Sequence, residues 1–117
     1  MSPFEQPKRV EKPWGHELWW AQSELYVGKL LHVRAGCQLS LQYHERKDET
    51  IHLARGEMVL VLGEGDRLTD HPMVPGQSYR VRPGTIHRMR AITDCDVWEV
   101  STPEVDDVVR VQDDYGR

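Results

Sequence analysis

An all-β barrel or jelly roll is the fold this sequence predicts, and three observations predict it. About nine short runs alternate polar and apolar residues with period two. Glycine- or proline-containing turns separate them. No stretch repeats its apolar residues at the 3.6 spacing of an amphipathic helix. With 117 residues the chain suffices for one domain. Residues 1–24 read as an arm and edge strand, 25–101 as the barrel and 102–117 as a tail.

Residues 1–11 are polar and carry Pro3 and Pro7, so an extended arm is expected rather than a helix. Such arms often cross to a partner subunit. Trp14, Trp19 and Trp20 gather around an edge strand at 17–20. Aromatic side chains bury so much area that core or dimer packing is their expected role, and they are kept out of the site. In the next run Val27, Lys29, Leu31 and Val33 share a face. If that face lines the barrel, Lys29 points inward and needs a phosphate or carboxylate partner; a one-residue slip would leave it in solvent. His32 falls on the opposite, outer face.

Residues 38–44 read as a strand with Gln42 and His44 leaving one face and Leu39, Leu41 and Tyr43 the other. The charged turn 45–48 then reverses the chain and returns Glu49 beside His44. Strands are expected at 50–53 and 57–62, with Glu49, Ile51 and Leu53 on one face and Thr50 and His52 on the other. That takes His52 out of the site. A turn at 63–66 and a loose loop at 71–76 leave His71 exposed, and a strand follows at 77–81. Arg82-Pro83-Gly84 is a tight turn leading to His87, which faces inward with Met89 and Ala91 while Arg88 and Arg90 face outward. Residues 97–100 close the strand series. The acidic stretch 102–110 is either a solvated strap or a segment that closes over a substrate.

An amide oxygen (Gln42), two imidazoles (His44, His87) and a carboxylate (Glu49) thus converge. Four such groups can hold one divalent metal and leave coordination positions open. Zinc is the first candidate, with manganese, iron, cobalt and nickel as alternatives.

These residues resemble the cupins. The first cupin motif, G-x5-H-x-H-x3,4-E-x6-G, matches the spacing of Gly36, Gln42, His44, Glu49 and Gly56, with Gln42 in place of the first histidine. The second, G-x5-P-x-G-x2-H-x3-N, maps onto Gly76, Arg82, Gly84, His87 and Ala91, keeping the glycines and histidine but not the proline or asparagine. A Gln-x-His pair with a later Glu and His is similar to the metal set of phosphomannose isomerases. Residues 39–44 look like the start of the signature of the cupin-type (type II) mannose-6-phosphate isomerases, residues 12–17 like that group's N-terminal segment, and residues 109–117 like its ending. Those enzymes commonly read His-Arg-x-Glu-His-Trp where this chain has Arg46-Lys47-Asp48-Glu49-Thr50-Ile51. The resemblance implies a cupin-type double-stranded β-helix, that is, a jelly-roll barrel.

A metal so held can accept a hydroxyl and a carbonyl oxygen of one substrate and acidify the neighbouring C–H. A metal-dependent sugar-phosphate isomerase acting through an enediolate is the function expected. Lys29, Arg46 and Arg110, together with Arg117, are the candidate electrophiles or phosphate partners, and the base is unassigned. A metal-dependent dioxygenase or lyase, or a non-catalytic sugar-binding cupin, are the alternatives.

Other classes drop out. A net charge of -4 argues against a protein that neutralises nucleic-acid phosphates. No apolar run approaches the ~20 residues of a membrane span, and the N-terminus lacks signal-peptide character, so a cytoplasmic protein is expected. Cys37 and Cys95 have no disulfide or thiolate-zinc spacing. No nucleophile elbow or phosphate-binding glycine loop occurs. The lean apolar content, 38% with a mean hydropathy of -0.63, favours burying more surface by pairing, so a homodimer is expected.

Overall fold

The computed structural model describes residues 2–117. Eleven strands run in chain order: β1 (Lys8–Lys12), β2 (Gly15–Gln22), β3 (Val27–Val33), β4 (Leu41–Tyr43), β5 (Glu49–Arg55), β6 (Met58–Glu64), β7 (Arg67–Met73), β8 (Ser78–Val81), β9 (His87–Ala91), β10 (Cys95–Ser101) and β11 (Val109–Gln112). They form two antiparallel sheets, β1-β2-β3-β10-β5-β8 and β11-β4-β9-β6-β7. No helix occurs among the described residues. The strands form the all-β architecture that the alternation and turn pattern predict, and its two facing sheets fit the double-stranded β-helix that the cupin resemblance implies.

Period-two alternation decides what fills the space between the sheets. On β5 the inward row is Glu49, Ile51 and Leu53; on β10 it is Cys95, Val97, Glu99 and Ser101; on β3, Val27, Lys29, Leu31 and Val33. Leu53, Val33, Cys95, Met58 and Ala91 pack together with the other apolar members of these rows. Each fully buried aliphatic side chain contributes about 1.5–3 kcal/mol. Toward one end the same rows turn polar. Register places Trp19, Lys29 and Glu99 side by side across β2, β3 and β10, and Glu49 beside Ser101. The barrel therefore has an apolar end and a polar end, and the polar end is where chemistry can occur.

The motif glycines serve the turns. Gly56 has φ +94°, and a Cβ there would stand 2.2 Å from the Asp94 carbonyl oxygen. Gly84, at φ +83°, donates its amide to the His44 carbonyl at 2.7 Å, which ties the turn before His87 to the end of the His44 strand.

Several expectations need correction. The arm is not wholly free: Lys8–Lys12 pairs antiparallel with β2, so β1 rather than β2 is the sheet edge, and its charged residues suit that position. The loop expected around His71 is strand β7, which tolerates Pro72 because it is the edge of its sheet. His71 is exposed, as expected. The strand expected at 38–44 shortens to Leu41–Tyr43, and the break in alternation before it turns Leu39 into the core and onto the same cavity wall as Gln42 and His44. Arg88 is buried, not solvated; its guanidinium donates to the Leu39 carbonyl at 2.8 Å and to the Gln112 side chain and carbonyl at 3.2 Å, clamping β11 onto the barrel. The tail is correspondingly not a free strap, since β11 pairs with β4.

Candidate metal centre

His44 leaves the end of β4, Glu49 opens β5 and His87 opens β9; each is at most 3% exposed. One ligand atom from each lies within 4.8 Å of the others. Glu49 Oε1 is 3.5 Å from His44 Nε2 and 3.3 Å from His87 Nε2. Ligands held 2.0–2.1 Å from a tetrahedral ion stand about 3.4 Å apart, so the spacing fits one metal.

The imidazoles are already set for such a role. His87 Nδ1 lies 2.9 Å from the Thr85 carbonyl and His44 Nδ1 2.5 Å from the Asp107 carbonyl. A carbonyl can only accept, so each Nδ1 carries the hydrogen and each Nε2 presents a lone pair. Both Nε2 atoms are buried and without a hydrogen-bond partner. Two unpartnered lone pairs beside a carboxylate are costly unless a cation or proton sits between them.

Gln42 lies opposite His87 in the β4–β9 register and lines the same cavity as His44 and Glu49. Its Oε1 accepts a hydrogen bond from Ser40 Oγ at 2.6 Å, leaving one carbonyl lone pair free. His87 is not among the residues that line this cavity.

Lys29 does point inward, and a carboxylate is its partner: Nζ lies 3.4 Å from Glu17 Oε1 and 4.2 Å from the centroid of a Trp19 ring. Trp19, whose Nε1 donates to Glu17 at 2.8 Å, lines the cavity, which corrects the exclusion of all three tryptophans from the site. Trp14 is in the core. Arg110 and Arg117 reach the cavity, Arg117 while paired with Asp113 at 3.0 Å. Arg46 does not; it is exposed, and the cation that its turn sends inward is Lys47. His52 is off the site, bonded to Ser78.

Lys47 and Glu99 are the residues that sequence reasoning misses. Lys47 Nζ is 3.0 Å from Glu49 Oε2 and 3.2 Å from Glu99 Oε2. Burial works against the lysine's charge, but Glu99 and Glu49 outweigh it and hold its pKa above the ordinary value. Burial works against Glu49 too, yet the His44 and His87 rings and Lys47 keep its carboxyl well below the usual range. Glu99 goes the other way: burial first, then the Glu49 charge, push it up to about 7 against the pull of Lys47 and Lys29. Glu99 has a sequence signal, because it shares its face with Val97; Lys47 sits in a turn and has none.

Residues 29–100 match the Cupin domain family, and the chain belongs to it. Among solved structures it is similar to KdgF from Halomonas sp. (TM-score 0.73, 20% identity, 85% of this chain and 90% of that one). It also resembles the capsular polysaccharide assembling protein CapF from Staphylococcus aureus (0.75, 12%, 91% and 34%). A third similar structure is Bacillus subtilis oxalate decarboxylase, which has Mn(II) centres (0.73, 9%, 95% and 33%). The chain spans about a third of the length of the latter two. At these identities the likeness is one of fold. No curated protein matches the chain. Among the described residues no helix is long and apolar enough to cross a membrane.

Proposed function

We propose that this cupin is a metal-dependent sugar-phosphate isomerase of the mannose-6-phosphate isomerase type, with Gln42, His44, Glu49 and His87 holding one divalent ion, zinc before manganese, iron, cobalt or nickel. The observation that carries this reading is the pair of unpartnered Nε2 atoms converging on Glu49 Oε1 at a cavity of about 350 Å³. That volume lies within the range of small-ligand sites, roughly 300–1,000 Å³.

When bound, the ion supplies Lewis acidity that acidifies the C–H beside a substrate carbonyl. The chain's own residues do the rest. Lys47 holds Glu49 Oε2 and so leaves Oε1 facing the imidazoles. Glu99 lies on the cavity wall outside the ligand set, placed to take a proton from one carbon and return it to the next. Lys29 is occupied by Glu17, so it shapes and polarises the wall rather than offering a free cation. Lys12 and Arg110 also line the cavity and form no ion pair among the described residues, which suits them to an anionic substrate end. Arg46 has no part in this assignment.

Protein loaded with zinc, manganese or cobalt should interconvert mannose 6-phosphate and fructose 6-phosphate in a coupled assay. Absence of turnover with all three ions rejects the isomerase. Oxygen uptake by iron-loaded protein would then favour a dioxygenase, and saturable sugar binding without turnover a sensor.

A homodimer in the reducing cytoplasm, where the free thiols Cys37 and Cys95 would persist, completes the proposal. On the outer face of the six-stranded sheet, Leu18, Leu30 and Trp98 lie side by side across β2, β3 and β10. With Pro7 and Trp20 they line an apolar groove of about 530 Å³, and Trp20 and Trp98 remain 49% and 42% exposed. A second copy, pairing about a two-fold axis, covers both tryptophans. Sedimentation should show a dimer at micromolar concentration that Trp98→Glu converts to monomer; a monomeric native protein rejects the pairing.

A further inference from the structure

Asp107 lies between β10 and β11, and its side chain and backbone do separate work. Its carboxylate accepts the amides of Glu45 at 3.0 Å, Arg46 at 2.7 Å and Lys47 at 2.9 Å, three successive N–H groups of the turn that joins His44 to Glu49. Those three bonds hold the carboxyl down to about 2. Its own carbonyl accepts the Nδ1 hydrogen of His44. The flanking segment is anchored at both ends: Thr102 donates its amide to the Asp48 carbonyl at 3.0 Å, and Arg88 holds Gln112. Between the anchors Val105, Asp106 and Val108 line the cavity.

We propose that Asp107 is a positioning residue that couples ion binding at the His44–Glu49–His87 cluster to docking of segment 102–112; this rests on reading the cluster as a metal centre. The physical link is short. With the segment docked, the Asp107 carbonyl fixes the His44 tautomer that presents Nε2 to an ion, and the Asp107 carboxylate holds the turn that delivers Lys47 to Glu49. With the segment undocked, the imidazole can rotate or change tautomer, and three amides lose their acceptor. Coupling is reciprocal, so an ion that needs His44 Nε2 must favour the docked segment by the same factor.

The test measures Zn²⁺ affinity by indicator competition and amide hydrogen exchange with and without Zn²⁺. In the native protein Zn²⁺ should slow exchange of amides 45–47 and 109–112 together. Asp107→Ala should weaken Zn²⁺ binding about 10- to 100-fold, the range for losing a hydrogen-bonded support of a ligand, and remove the Zn²⁺-dependent protection of 109–112. Asp107→Asn, which keeps an accepting oxygen, should recover much of both. Native Zn²⁺ affinity in Asp107→Ala, or Zn²⁺ binding in the native protein with no change in exchange over 102–112, overturns the coupling alone. Failure of the native protein to bind Zn²⁺ overturns the metal centre and the coupling with it. The native exchange comparison decides the question even if Asp107→Ala does not fold.

Discussion

Replacing His44 or His87 with alanine should strip the bound ion from the protein. Elemental analysis of native protein purified without chelators should give close to one divalent ion per chain, and either variant less than about a tenth of that, because loss of a direct ligand costs more than the 10- to 100-fold of a lost supporting bond. The two imidazoles differ in surroundings but not in expected effect. His87 is 1% exposed and tied to Thr85, whereas His44 is held by the Asp107 carbonyl. Each contributes one unpartnered Nε2 near the same carboxylate oxygen. Thermal unfolding supplies a second readout. An ion present at a hundred times its Kd stabilises the folded state by about 2.7 kcal/mol, a rise in Tm of roughly 10 °C for a domain of this size. Neither variant should show that rise. Gln42→Ala should retain most of the ion, since an amide oxygen is a weaker ligand than an imidazole and Gln42 already accepts from Ser40. Unchanged metal content in both histidine variants would sink the centre.

That Glu49 and His87 face inward is legible in the sequence because both obey a local rule. Glu49, Ile51 and Leu53 alternate on β5, as do His87, Met89 and Ala91 on β9, and side chains two apart must leave the same face. Lys29 is inward by the same rule, and its partner Glu17 lies diagonally across on β2, two residues before the Trp19 that stands opposite Lys29. What could not be read depends on contacts remote in sequence. Lys47 lies in a turn with no periodicity, so its meeting with Glu99, 52 residues away, comes only from the pairing of β5 with β10. Arg88 reads as an outward arginine until β11 is laid over it. β1 was hidden by charge: Lys8, Arg9, Glu11 and Lys12 look like a solvated arm, and only an edge position lets a strand carry them. Trp19 is a different case: it alternates with Glu17 on β2 and so faces inward by the local rule, and only the large area that aromatic rings bury argued for core or dimer packing instead.

Lys47→Met should be the most destabilising single change at the polar end of the barrel. Methionine matches the length of the lysine stem, so packing is nearly conserved while the cation 3.0 Å from Glu49 and 3.2 Å from Glu99 is lost. Removing one partner of a buried ion pair costs about 3–5 kcal/mol, because the remaining charge stays buried without compensation. Denaturant unfolding of metal-free protein at pH 8 should show a loss of that order. The dependence on pH separates charge from packing. Glu99 has a folded pKa of about 7 against an ordinary 4.5, so between those values the folded state keeps a proton that the unfolded chain has released. Its contribution is therefore most favourable below pH 4.5 and is lost as pH rises through 7. Without Lys47 the carboxyl is pushed higher still, so the penalty of Lys47→Met should shrink by half or more between pH 8 and pH 5.5. Glu99→Gln in the Lys47→Met background should restore much of the loss at pH 8, since a neutral amide needs no cation. An equal loss at both pH values, with no rescue by Glu99→Gln, would mean that Lys47 stabilises the barrel through its methylenes and that the Glu49–Lys47–Glu99 bridge contributes nothing.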